Sequence, residues 1–91
     1  MTNDTAIAII DTTQPTVAAA IGALPTKAQS DILTNGGTIT LAVGKSPNGM
    51  ECTLVADVTS KLTASVFAVA QDGRRQPIAA SNVSKVIAML A

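Results

Sequence analysis

At Asn35-Gly36-Gly37 the hydrophobic period of the chain changes, and that change bounds the folds open to it. Before it, Val17, Ile21, Leu24, Ala28 and Ile32 recur every three or four residues, the spacing of one helical face. After it, Ile39, Leu41 and Val43 alternate with Thr38, Thr40 and Ala42, the period of a strand with a dry face and a wetter, threonine-lined one. A helical spacing returns at Val83, Val86, Ile87 and Leu90. The predicted class is therefore α+β: a three- to four-stranded antiparallel meander with two N-terminal helical segments and one C-terminal helix packed on the sheet. At 91 residues, all of these elements are expected to share one domain, residues 1–91.

The individual elements follow from local signals. Ala6-Ile7-Ala8-Ile9-Ile10 is too short for its periodicity to separate a strand from a helical turn, although its β-branched content leans towards strand. After the polar spacer Asp11 to Gln14, Pro15 stands where a first-turn proline belongs, so Val17 to Leu24 reads as a helix. Pro25 breaks or kinks it, and a second short helix, Thr26 to Thr34, ends at the two glycines. Pro47-Asn48-Gly49 reads as a hairpin turn. Its return strand carries Met50, Cys52, Leu54, Ala56 and Val58 on one face, opposite Glu51, Thr53, Val55, Asp57 and Thr59. Thr59 to Thr63 makes a second turn. Ala64 to Ala70 is a third strand with Val66, Ala68 and Ala70 on one side and Phe67 and Val69 on the other. Both faces are rather apolar, which places this strand centrally or beneath an interface. After Asp72-Gly73, Arg74 to Gln76 reads as a brief fourth strand, and Ser81 or Asn82 as the cap of the final helix.

Hydrophobic residues make up 47% of the chain and aromatic ones 1%, so the core must be built from Ala, Val, Ile and Leu around a single Phe67. Small side chains bury little area each, a monomer of this kind is marginal, and homo-oligomerisation is the expected remedy. Six basic and six acidic side chains give a net charge of zero, which disfavours long-range attraction to nucleic acid or to an anionic membrane. The apolar runs Ala6 to Ile10 and Val17 to Leu24 are shorter than the roughly 20 residues a membrane span requires. Met1-Thr2-Asn3-Asp4 lacks a cationic leader, and the single Cys52 fits a reducing compartment, so a cytoplasmic location is the default expectation.

The chemistry is bounded by absences. No His means no Ser-His or Cys-His nucleophile pair and no usual zinc ligand, and one Cys supports neither a thiolate metal site nor an iron–sulfur cluster within a single chain. Cys52 lies mid-strand between Met50 and Leu54, the setting of a structural thiol. Glu51 and Asp57 share a strand face but stand about 20 Å apart, too far for an acid–base pair. Gly44-Lys45-Ser46 looks like the end of a phosphate-binding loop, but residue 39 is Ile where the first glycine should be, and Pro47 follows instead of a helix. No enzymatic activity, cofactor or metal is expected.

Two binding roles survive. Lys45, Lys61, Arg74 and Arg75 sit in the turns of the meander and are the candidate contacts to nucleic-acid phosphates. In a simple meander the first and third turns share one end and Lys61 lies at the other. Val83, Val86, Ile87 and Leu90 form the candidate interface with a second copy or a protein partner, and the uncharged strand Thr38 to Val43 offers a free edge. A neutral chain with an apolar terminal helix favours the protein partner: an inhibitor, adaptor or assembly subunit. The short, neutral, aromatic-poor profile resembles that of many accessory proteins of phages and mobile elements, with no motif to carry it. The element order also resembles that of histone-like HU proteins. The basic arm with its Arg-x-Gly-Arg-Asn-Pro pattern is absent and the net charge is zero, so DNA binding of that kind does not follow.

Overall fold

The computed structural model describes residues 2–90, with side chains from Thr5 onward. Helix α1 (Thr2–Thr13), α2 (Pro15–Gly22) and α3 (Thr26–Asn35) precede β1 (Gly37–Lys45), β2 (Glu51–Val58), β3 (Ala64–Ala70) and β4 (Arg75–Ile78), and α4 (Val83–Met89) closes the order. The strands form one antiparallel sheet in the order β1-β2-β3-β4, so the fold is an α+β meander with helices at both ends of the chain.

Helix α1 resolves the ambiguous segment 6–10 against its lean towards strand. Ala6 and Ile10, one helical turn apart, are both buried, Ile7 packs against the core, and Ile9 faces outward. A helical face that meets other helices outweighs the weak strand preference of three isoleucines. The helix also consumes most of the supposed spacer. The Thr12 hydroxyl donates to the Ala8 carbonyl at 3.0 Å and the Thr13 hydroxyl to that of Ile10 at 3.2 Å, bonding back into the preceding turn. Pro15 opens α2, where its missing N–H is no loss.

At Pro25 the chain breaks cleanly. Gln29 braces the corner, its amide donating to the Leu24 carbonyl at 2.9 Å and to the Gly22 carbonyl at 3.2 Å, groups left over at the end of α2. The apolar stripe continues across the proline only in part: Val17 and Ile21 are fully buried, Leu24, Ala28 and Ile32 are half-buried, and Leu33 is the core residue of α3. Gly36 then turns the chain at φ +78° with Val58 O only 2.5 Å from where a Cβ would stand, so only glycine fits.

The alternation in β1 fails halfway. Thr40 pairs with Val55 and Ala42 with Leu54, so Leu41 is an extra residue, a β-bulge. Up to the bulge Ile39 points into the core. Beyond it the phase inverts, Ala42 turns inward, and Val43 is 75% exposed instead of joining Ile39. The β2 faces are as expected, with Leu54, Ala56 and Val58 buried.

All three hairpins share one turn geometry: a three-residue loop closed by two backbone hydrogen bonds, its last residue left-handed. Gly49 N donates to Ser46 O and Ser46 N to Met50 O; Leu62 N to Thr59 O and Thr59 N to Thr63 O; Gly73 N to Ala70 O and Ala70 N to Arg74 O. Gly49 and Gly73 take the positive φ without strain, whereas the middle turn holds Leu62 at φ 63° and packs its side chain against the core. Strand β4 runs through Pro77, which an edge position tolerates. Neither Ser81 nor Asn82 caps α4 through its side chain; a 3₁₀ turn, Ala80–Asn82, leads in with Asn82 N donating to Ala79 O.

One core binds these elements: Ala6 and Ile10 of α1, Val17, Ala18 and Ile21 of α2, Leu33 of α3, Ile39, Leu54, Ala56, Val58 and Val66 of the sheet, and Val83 of α4. The helices lie on one face of the sheet only. No helix of the described residues is long and apolar enough to cross a membrane.

Candidate interaction surfaces

The strand pairing lays out the uncovered outer face in rows. Val43, Thr53, Val69 and Arg75 form one row, Thr40, Val55, Phe67 and Pro77 the next, and Thr38, Asp57 and Ser65 a third. Its centre is apolar. Among the described residues no helix covers it, yet Val55 is only 9% exposed and Phe67 half-buried. Over Phe67 lies the side chain of Arg75. It leaves β4, crosses the Phe67 ring with the guanidinium carbon 4.5 Å from the centroid, and ends on Asp57 of β2 with Nη2 2.8 Å from Oδ2. The Thr38 hydroxyl of β1 donates to the other carboxylate oxygen at 2.8 Å. A polar strap, Thr38 to Asp57 to Arg75 over Phe67, thus spans all four strands. The Thr38 hydroxyl chiefly, then the Arg75 hydrogen bond and charge, hold the Asp57 carboxyl below the usual range against the opposing effect of burial. None of this is legible from spacing, because Asp57 and Arg75 are 18 residues apart and only the register joins them.

The turns carrying Lys45, Arg74 and Arg75 share one end of the sheet and Lys61 stands at the other, as a meander requires. The two arginines do not form an open basic pair. Arg74 Nε lies 3.1 Å from Asp72 Oδ2, Arg75 is held by Asp57, and Lys45 faces Glu51 across the hairpin. Phosphates approaching this end meet cations that already have carboxylate neighbours.

The candidate interface on α4 is largely turned inward. Val83 is 2% exposed within the core, and Val86, Ile87 and Leu90 pack against it, leaving Met89 as the exposed large apolar residue of that helix. The stripe is thus spent within the protein's own core: Val83 is a member of it and Val86, Ile87 and Leu90 pack against it. Among the described residues no strand pairs with the far side of β1, and the bulge at Leu41 interrupts that edge.

A third surface, missed by sequence reasoning, lies on the helical side of the sheet at the hairpin end. On that face Ile39, Leu54, Ala56, Val58 and Val66 are buried in the core, whereas Cys52 and Ala70, nearer the hairpin end, are only half-buried. There the side chains are small: Cys52, Ala68 and Ala70 floor a groove of about 480 Å³, flanked by Met50 and rimmed by Asp72 and Arg74. Among the described residues no group of three or more His, Cys, Asp or Glu side chains is placed to hold a metal ion. Ala70 and Cys52 are cross-strand partners, a pairing that could have been read from the two turns had their loop lengths been known. No family model, curated protein or solved structure matches this chain.

Proposed function

We propose that the protein is a small non-catalytic protein-binding module, an inhibitor, adaptor or assembly subunit, acting in the cytoplasm as a homo-oligomer. The observation that carries the reading is the outer sheet face, which no helix of the described residues covers and on which Val43 is 75% exposed. Phe67, Val69 and the uncharged Thr40 and Thr53 share that face, and its charged side chains Asp57 and Arg75 are paired with each other over Phe67. A partner that buries Val43 recovers about 1–2 kcal/mol from that side chain alone.

The test is size-exclusion chromatography with light scattering, refractive index and absorbance at 260 nm, where a chain without Trp or Tyr is nearly transparent. The expected result is an oligomer mass with no 260 nm signal, and co-purification with a protein that Val43→Asp and Val69→Lys lose while Arg74→Ala keeps it. Strong 260 nm absorbance under the peak overturns the reading in favour of nucleic acid. That second reading has one observation behind it, the common location of Lys45 and Arg74 at one end of the sheet. Under it, Arg74→Ala lowers the salt slope of binding by about 1.

A further inference from the structure

Two Asn-Gly pairs stand in this chain, Asn35-Gly36 and Asn48-Gly49, and both asparagines are exposed. An asparagine before glycine can lose its amide without an enzyme. The next backbone nitrogen is held close to its side-chain carbon, and glycine has no Cβ to obstruct the approach. Ring closure requires the backbone of the pair to rotate, so how firmly each pair is held decides which one reacts.

Asn35-Gly36 is locked. Gly36 N donates to Ile32 O at 2.8 Å, closing α3, and the position of a Gly36 Cβ lies 2.5 Å from Val58 O, 3.3 Å from Thr59 Cα and 3.4 Å from Ser60 N. Leu33, just ahead of the pair, belongs to the core and Ile32 packs against it. Rotation here drives the backbone into the end of β2, so it requires the end of α3 to leave the core.

Asn48-Gly49 is open. It lies at the tip of the first hairpin with nothing within 4 Å of the Gly49 Cβ position, and rotation there breaks one exposed backbone bond, Gly49 N to Ser46 O at 2.9 Å. Asn48 Oδ1 accepts from the Ser46 hydroxyl and, at 3.4 Å, from Met50 N–H. As a nitrogen adds to Cγ, negative charge develops on that oxygen, where both donors already sit.

We infer that Asn48 is a site of self-modification, converted without an enzyme to isoaspartate and aspartate, and that packing spares Asn35. The Gly49 nitrogen gives up its proton and bonds to Asn48 Cγ. The Cγ–Nδ2 bond breaks, and Nδ2 takes up a proton and leaves as ammonia. Water then opens the cyclic imide: cleavage at the Asn48 backbone carbonyl leaves isoaspartate, with the chain running through Cγ, and cleavage at Cγ leaves aspartate. Either product adds one carboxylate to a chain of zero net charge, in the groove that residue 48 lines with Glu51, Asp72 and Arg74. The reaction is independent of any partner.

The experiment holds the full chain in mildly alkaline buffer, folded and in parallel in concentrated urea. Ion exchange follows the acidic shift, and peptide mass mapping in heavy-oxygen water identifies the residue. In the folded protein Asn48 is expected to convert within about 10-fold of its rate in urea, the effect of one exposed hydrogen bond. Asn35 is expected to convert at least about 100-fold more slowly folded than in urea. Both isoaspartate and aspartate appear at position 48, each carrying oxygen from the water. Asn48→Gln, whose longer side chain closes a less favourable ring, keeps its charge over the same time with an unchanged far-ultraviolet circular dichroism spectrum. An Asn48 that stays amidated in the folded protein, whatever it does in urea, overturns the inference. So does an Asn35 that keeps pace with Asn48 in the folded chain, and so does aspartate alone at position 48, since direct hydrolysis gives no isoaspartate.

Discussion

Asp57 is the residue on which the uncovered face depends, since it alone anchors both Thr38 and Arg75. Its carboxyl titrates below the ordinary value of about 3.9 that it recovers on unfolding, so the unfolded chain binds its proton first as the pH falls. The contribution to stability is therefore complete above that unfolded value and is lost as the pH falls through the lower native one. Asp57→Asn is expected to lower stability by about 0.5–1 kcal/mol in urea melts at neutral pH, a modest figure because the pair is partly exposed and screened by salt. The difference from wild type should shrink below pH ~4 and vanish once the native carboxyl is protonated. Gly36 poses a sharper steric test. With φ at +78° and the Val58 carbonyl in the way, Gly36→Ala should cost about 2 kcal/mol or more, whereas Gly73→Ala, with open space around it, should cost about 1 kcal/mol for its φ alone. Glycine at Asn35-Gly36-Gly37 was legible as a helix stop. The backbone carbonyl that makes Gly36 irreplaceable was not, because it arrives from β2.

Among the elements, β1 shows how far a pattern carries. Its strict alternation put Ile39, Leu41 and Val43 on one face, and a single extra residue at Leu41 reverses the second half. Val43→Thr is therefore expected to change the unfolding free energy by less than about 0.5 kcal/mol, and Ile39→Thr to lower it by about 2 kcal/mol, in chemical denaturation followed by circular dichroism. The bulge also makes a free edge irregular, which discourages strand addition. Deleting Leu41 leaves Ile39 and Ala42 facing inward and straightens the edge, so light scattering of the deletion variant should rise with concentration while the sheet signal persists. Helix α1 is the opposite case. Its five apolar residues were too few to show a period, and only contact with the other helices selects the conformation that buries Ala6 and Ile10.

At the scale of the molecule, every helix and the first three strands contribute to one cluster of aliphatic side chains, and Ile10, Val17, Ile21, Leu54 and Val66 are its largest fully buried members. A chain of this length is stable by only about 5–10 kcal/mol. Ile10→Ala should remove about 2–5 kcal/mol of that and Leu54→Ala a similar amount, in one cooperative transition for each, since helix and sheet share the same core. Far-ultraviolet circular dichroism against urea checks both, there being no Trp or Tyr to follow. The amino-acid sequence was enough for the α+β class, the order of the meander, the three turns and the aliphatic nature of the core, because these rest on local period and turn chemistry that neighbours in the chain carry. It placed Lys45 and Arg74 at one end of the sheet only on the condition of a simple meander, and the strand register meets that condition. The conformation of residues 6–10, the inversion at Leu41, the strap from Asp57 through Arg75 and the groove over Cys52 belong to the tertiary structure. Each depends on strand register or on how far a helix extends over the sheet, and those distances are set by packing between segments far apart in the chain.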